Sequence, residues 1–137
     1  MSKLKSCKLI DLPRFSDSRG SLGVIEVGQD TPFEVKRIYY LFDVPDGAER
    51  GVHAHKELQQ LIIPISGSFD ITLDDGTDRQ TFHLDNPTQG ILISNMIWRE
   101  LENFTPGTVC MVFASEHYDD NDYYHIYEEF KAAAKLN

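Results

Sequence analysis

Apolar and polar residues alternate through Phe69-Asp70-Ile71-Thr72-Leu73-Asp74, the pattern of a strand that buries one face. A second run, Arg79-Gln80-Thr81-Phe82-His83-Leu84-Asp85, follows after Asp75-Gly76. An Asp-Gly pair between two such runs predicts a β-hairpin. Further short β-rich runs are SLGVIEV from Ser21, VKRIYYLFDV from Val35, QLIIPI from Gln60, GILIS from Gly90 and TVCMVFAS from Thr108. Turn signals separate them, among them Asp17-Ser18-Arg19-Gly20, Pro45-Asp46-Gly47, Ser66-Gly67 and Thr105-Pro106-Gly107. Many short strands at this spacing predict an all-β sandwich or barrel. Only the end reads as helical: Asp122 is placed to cap a helix over Tyr123–Lys135, with Ile126, Phe130 and Tyr127 on its packing face.

The chain has 137 residues, which predicts one domain over 1–137 with a single core. No run is long and apolar enough to span a bilayer, and no secretory pattern follows the N-terminal lysines, so a cytoplasmic protein is expected. Cys7 and Cys110 lie far apart and form no CxxC pair, which predicts buried thiols. A formal net charge of −9, from 22 acidic and 13 basic residues, disfavours a nucleic-acid surface. An anionic small molecule would instead need a local pocket where arginines converge. The acidic stretch from Glu116 to Asp122 lacks the spacing of a calcium loop and is expected to be a solvated turn.

The chemistry concentrates in Gly47-Ala48-Glu49-Arg50-Gly51-Val52-His53-Ala54-His55-Lys56-Glu57-Leu58-Gln59-Gln60. Two histidines two apart on a strand share one face, roughly 6–7 Å apart at Cα. Arg37 and Tyr39, also two apart, share a face of another strand.

This stretch resembles the first motif of the cupin superfamily: Gly, five residues, His-x-His, three or four residues, Glu, six residues, Gly. The spacing is met by Gly47, His53, His55, position 60 and Gly67, but position 60 is Gln rather than Glu. Counting the second cupin motif from Gly90 puts Leu101 where its histidine belongs. Metal-binding cupins use three histidines and a carboxylate, so the resemblance implies a site without metal or other cofactor.

The strings DSRGSL, VKRIYYLFDV, RGVHAHKELQQ, LDDG, LDNPTQG and FASEHYDDNDY narrow this further. From about Asp17 to Phe130 the chain resembles the sugar 3,4-ketoisomerases that act on dTDP-4-keto-6-deoxyglucose. The resemblance implies a cupin jelly roll with a C-terminal helix, a homodimer, and a 3-keto sugar nucleotide as product. Such products are typically aminated, and the sugars end in cell-surface polysaccharides or antibiotics. Moving a ketone from C4 to C3 removes a proton at C3, passes through an enediol and returns a proton at C4. A neutral imidazole suits both transfers. His53 is assigned to carbon and His55 to the oxygens. Tyr39 is the expected pocket tyrosine, placed to stabilise enolate charge. Tyr40, pointing the other way, is expected in the core. Arg19, Arg37, Arg50 and Arg99 are candidates for diphosphate or sugar oxygens. Gln60 is expected to contact the sugar or orient a histidine. Trp98-Arg99 departs from relatives that carry Trp-His, which bears on the stereochemistry at C4.

Two other functions fit the same residues. One is a 3,5-epimerase acting on the same 4-keto sugar, which needs acid and base on opposite ring faces. The other is a non-catalytic cupin that binds a sugar nucleotide.

Overall fold

The computed structural model describes residues 2–136. Twelve strands are followed by one α-helix: β1 (Lys8–Asp11), β2 (Arg14–Asp17), β3 (Gly20–Gly23), β4 (Arg37–Leu41), β5 (Arg50–His55), β6 (Gln60–Ser66), β7 (Phe69–Asp74), β8 (Arg79–Leu84), β9 (Gln89–Ile93), β10 (Trp98–Glu102), β11 (Val109–Ala114), β12 (Tyr123–Tyr124) and α1 (Tyr127–Ala134). Two five-stranded sheets run β1-β9-β6-β11-β4 and β12-β5-β10-β7-β8, and β2-β3 forms a separate hairpin. All pairings are antiparallel. This is the expected all-β, cupin-like sandwich with a C-terminal helix.

The core lies between the sheets. Ile62, Ile91, Ile93, Cys110 and Val112 from the first meet Phe69, Ile71, Leu73, Leu84 and Leu101 from the second. The outer face of the first sheet is covered in part by the segment carrying Ile25, Phe33 and Val35, which packs on Leu61, Ile63 and Phe113. Strand β6 is therefore buried on both faces, which is why it reads as a continuous apolar run rather than an alternating one. Strand β4 lies beyond this cover at the sheet edge. Its inward residues Arg37, Tyr39 and Leu41 are half-buried, while Tyr40 is 57% exposed, not in the core as its apolar neighbours suggested.

The C-terminal end also departs from expectation. The helix begins at Tyr127, not Tyr123, and Ile126 is its N-cap with no side-chain cap. Ile126 is 58% exposed, while Phe130 is fully buried against Ala54 and Trp98. Residues 123–124 instead pair with β5, which adds a strand to the sheet where helical periodicity had been read. Strands β1, β2 and β10 were not anticipated, and SLGVIEV leaves β structure after Gly23.

The β7–β8 hairpin forms at Asp75-Gly76, with Asp74 opposite Arg79 and Gly76 at φ +95°. The β6–β7 turn is tighter. Gly67 sits at φ +74°, and a Cβ there would overlap the Thr108 hydroxyl. Thr105 and Thr108 accept hydrogen bonds from Ser68 N at 2.9 and 3.2 Å, so the obstacle is fixed. Gly67→Ala should therefore cost more than about 2 kcal/mol, the left-handed penalty plus the overlap. Gly47→Ala, at φ +80° in open space, should cost only about 1–2 kcal/mol. Urea midpoints of the two variants measure the difference.

Candidate active site

The site lies between the sheets where β12, β5 and β10 face β4 and β6. His53 and His55 point inward from β5, and Ala54 points outward to Phe130. Arg99 on β10 is directly opposite His53, so the two side chains share a face. Tyr123 on β12 is opposite His55, with ring centroids 4.3 Å apart. The histidine rings are 4.8 Å apart and edge-to-face. A bulge in the β5–β10 ladder breaks the register between Arg99 and Glu100. Val52 is the residue left over, at φ +56°, a costly conformation for a β-branched side chain.

The facing sheet contributes Tyr39 and Gln60. A cavity of about 70 Å³ is bounded by Tyr39, Gln60, His53, Arg50, Arg99 and Leu101, with Leu41, Gly51, Ile62 and Val112. Thus five of the eight residues selected from the sequence, Tyr39, Arg50, His53, Gln60 and Arg99, line one cavity. His55 is fully buried beside His53. Arg37 packs over the rings of Tyr39 and Tyr118 at 5.2 and 5.5 Å, with its Nε and Nη2 buried and unpartnered. Arg19 does not join them. It stands at the β2–β3 tip, 89% exposed at its side chain, and pairs with Asp17 at 2.8 Å.

Both imidazoles are held in a defined tautomer. His53 Nδ1 lies 2.9 Å from Gly51 O, and a carbonyl only accepts, so Nδ1 carries the proton. His55 Nδ1 lies 3.1 Å from Asp122 Oδ2 and donates to it. Nε2 of each ring is buried with no partner, which leaves a free lone pair on each. Burial, followed by the Arg99 charge, pushes His53 down to about 4. The same causes, with the charges of His53 and Arg37, push His55 down to about 2. The imidazole is therefore uncharged at neutral pH, and its contact with the Asp122 carboxylate is a hydrogen bond rather than an ion pair. Both groups are bases poised to accept.

Asp122 was read as a helix cap and its segment as a solvated turn. Its carboxylate instead accepts from Glu57 N at 2.8 Å and Leu58 N at 3.3 Å as well as from His55. The acidic composition of the segment concealed this. Tyr123 was likewise missed, because it sat inside the predicted helix. The 3-10 turn Asp120–Asp122 and strand β12 are what bring both to the histidines.

Gln60 has both amide ends engaged. Arg99 Nη1 donates to Gln60 Oε1, and Gln60 Nε2 donates to Tyr39 Oη at 2.9 Å. Arg99 Nη2 donates to Ile97 O at 2.9 Å, and Nε is unpartnered. Arg99 is 1% exposed, and burial lowers it to about 10, still a cation at neutral pH. Among the described residues no group of three or more His, Cys, Asp or Glu is placed to hold a metal ion.

Residues 5–135 match the family described as FdtA: WxcM-like, C-terminal. The chain belongs to this family. It is 42% identical over 131 residues to a TDP-4-oxo-6-deoxy-alpha-D-glucose-3,4-oxoisomerase from Aneurinibacillus thermoaerophilus, covering 95% of this chain and 94% of that one. It superposes with a TM-score of 0.93 on an asparagine-for-histidine variant of the QdtA 3,4-ketoisomerase from Thermoanaerobacterium thermosaccharolyticum in complex with TDP-4-keto-6-deoxyglucose. That pair is 37% identical and covers 95% of this chain and 94% of the other. A dTDP-4-dehydrorhamnose 3,5-epimerase from Bacillus anthracis, 16% identical with a TM-score of 0.78 over 90% of this chain and 79% of its own, shares the fold alone.

The depressed histidines have a consequence for stability. Between pH 6.5 and about 4 the unfolded chain binds protons at His53 that the folded chain refuses. His55 behaves in the same way over a wider range, down to about 2. Stability therefore falls as pH drops below 6.5. Urea midpoints of the wild type should fall more steeply from pH 7 to pH 5 than those of His53→Asn or His55→Asn. Equal slopes would show that neither imidazole is held neutral.

Proposed function

We propose that the protein is a sugar-nucleotide 3,4-ketoisomerase that converts dTDP-4-keto-6-deoxyglucose to a dTDP-3-keto-6-deoxyhexose. One observation carries this reading: two neutral imidazoles on one strand face, each with Nδ1–H engaged and Nε2 free. His53 Nε2 takes the C3 proton, which the adjacent carbonyl acidifies. The electrons of the C3–H bond form the C3–C4 double bond, and the C4 carbonyl oxygen becomes the enediol oxygen. Return of the proton at C4 and loss of the O3 proton complete the 3-ketone. His55, 4.8 Å away, passes the proton between O3 and O4. Arg99 and Tyr39 stabilise the charge on the oxygens. Arg37 and Arg50 are assigned to the sugar and diphosphate, while Arg19, at the β2–β3 tip, is left out of the site.

The likeness to known proteins favours ketoisomerase over the 3,5-epimerase: 42% identity to a 3,4-oxoisomerase over 95% of this chain, against 16% to the epimerase. Incubation of chelator-treated protein with dTDP-4-keto-6-deoxyglucose, followed by NMR of the product, should show a ketone at C3. An inverted centre with the ketone still at C4, or turnover only after a divalent ion is added, would overturn the reading. His53→Asn should lower the rate by about 10²–10⁴-fold. In D₂O it should also stop deuterium entry at C3, while His55→Asn retains part of that exchange.

The working form in this reading is a cytoplasmic homodimer. Free buried Cys7 and Cys110 suit a reducing compartment. Among the described residues no helix is long and apolar enough to cross a membrane. The β2–β3 hairpin pairs with neither sheet, and Phe15 opposite Leu22 is exposed at 63% and 58%. A lone hairpin is marginal in water, so a second copy is the natural cover for it. Phe15→Asp with Leu22→Asp should shift sedimentation from dimer to monomer. An unchanged dimer would place the interface elsewhere.

A further inference from the structure

We infer that Gln60 is a positioning residue that fixes the Tyr39 phenol as a hydrogen-bond donor toward the cavity. The inference rests on the ketoisomerase reading only for the identity of the oxygen that receives that bond. The direction of the chain of hydrogen bonds follows from its first member. A guanidinium has no acceptor, so Arg99 Nη1 can bond only to the oxygen of the Gln60 amide. That fixes the amide with its nitrogen on the other side, 2.9 Å from Tyr39 Oη. An amide nitrogen only donates, so the phenol oxygen accepts there. The phenol's own proton cannot lie on that line. It is left for an acceptor on the cavity side, which Tyr39 shares with His53 and Arg99.

Gln60 is 1% exposed and packed between its two partners. Its role is thus to act through Tyr39, not to hold the sugar or a histidine. The same geometry explains why the amide matters at a position where the cupin motif carries Glu. A carboxylate there would accept from both neighbours. Arg99 would keep its bond, but Tyr39 would turn its proton away from the cavity and onto position 60. In the ketoisomerase reading, the sugar oxygen that becomes negative in the enediolate would then lose its phenol donor.

The test is a double-variant cycle built on Gln60→Glu and Tyr39→Phe, read with the isomerase assay and with NMR of ζ-¹³C-tyrosine. Each single variant should lower kcat about 10²–10³-fold, the usual cost of one oxyanion donor. KM should change much less. Added to Tyr39→Phe, Gln60→Glu should lower kcat less than it does alone, because the Tyr39 donor is already gone and only the effect of the carboxylate on Arg99 remains. The Tyr39 resonance, assigned by its loss in Tyr39→Phe, should titrate at higher pH in Gln60→Glu than in the wild type. A carboxylate disfavours the phenolate that the amide N–H favours. In the wild type, nuclear Overhauser contacts should join the Gln60 amide protons to the Tyr39 ring. Losses that multiply in the double variant, or a Tyr39 titration that Gln60→Glu leaves in place, would overturn the inference. A wild type that does not isomerise the sugar, yet shows the Tyr39 shift, would remove the ketoisomerase reading and leave the donor assignment standing.

Discussion

A guanidinium buried between two β-sheets needs oxygen around it, and Arg99 receives only neutral oxygen. Its hydrogen bonds go to the Gln60 amide and the Ile97 carbonyl, and none reaches a carboxylate. Removing an unpaired charge from water is costly, and that cost appears as its lowered basicity. The fold bears this because the charge acts on every other group in the cavity. It depresses both histidines, directs the Gln60 amide and lowers the phenol of Tyr39 against the stronger upward push of burial. A buried positive charge that bonds no carboxylate is preorganised for anionic charge on a ligand. Placing a carboxylate beside it would stabilise the empty protein and spend that field.

The strand register delivers this charge to the histidines. Arg99 meets His53 directly, and the ladder then slips by one residue, with Val52 as the surplus. Without the bulge, β5 would continue in regular alternation past Arg99. With it, the turn of chain at Gly51 and Val52 presents the Gly51 carbonyl to His53 Nδ1. One local distortion thus fixes both the aim of the ring and its tautomer. Enlarging Gly51 would be strained, because it sits at φ +77° and a Cβ would lie 3.0 Å from Leu101 and 3.3 Å from the Arg99 carbonyl. Strain at Val52 and crowding at Gly51 sit beside the proposed base, where the surrounding sheet can hold them.

The β-hairpin at Asp75-Gly76 and the inward pair His53 and His55 were legible in the sequence because both depend on local rules, turn chemistry and the period of two. Tyr39 was legible for the same reason. Asp122 and Tyr123 were not. Their segment is acidic and aromatic, and its periodicity passes for a helix until β5 offers an unpaired edge to join. Tyr40 was misplaced because apolar character does not say whether a sheet edge has a cover. The role of Gln60 was hidden differently. Its spacing from the histidines was plain, but its partners come from β4 and β10, on opposite sheets. Only the tertiary arrangement shows that both ends of the amide are taken.

Histidines held near 4 and 2 are weak bases, and the proposed reaction asks one of them to remove a proton from carbon. The two facts are reconciled by the source of the depression. Its leading cause is burial, and the next is the Arg99 charge. Both disfavour an imidazolium that stands alone. In the proposed reaction, negative charge grows on the sugar oxygens as the C3 proton moves to His53. That charge is opposite to the imidazolium and to Arg99 at once. It offsets the repulsion from Arg99 and supplies the ion partner that burial denied. Among buried groups the offset is larger than in water, because less solvent screens it. In the proposed reaction His53 therefore gains basicity in step with the enediolate and loses it as that charge is discharged. Burial and Arg99 hold His53 neutral across the physiological range, and in the proposed reaction the enediolate supplies the charge that makes it effective.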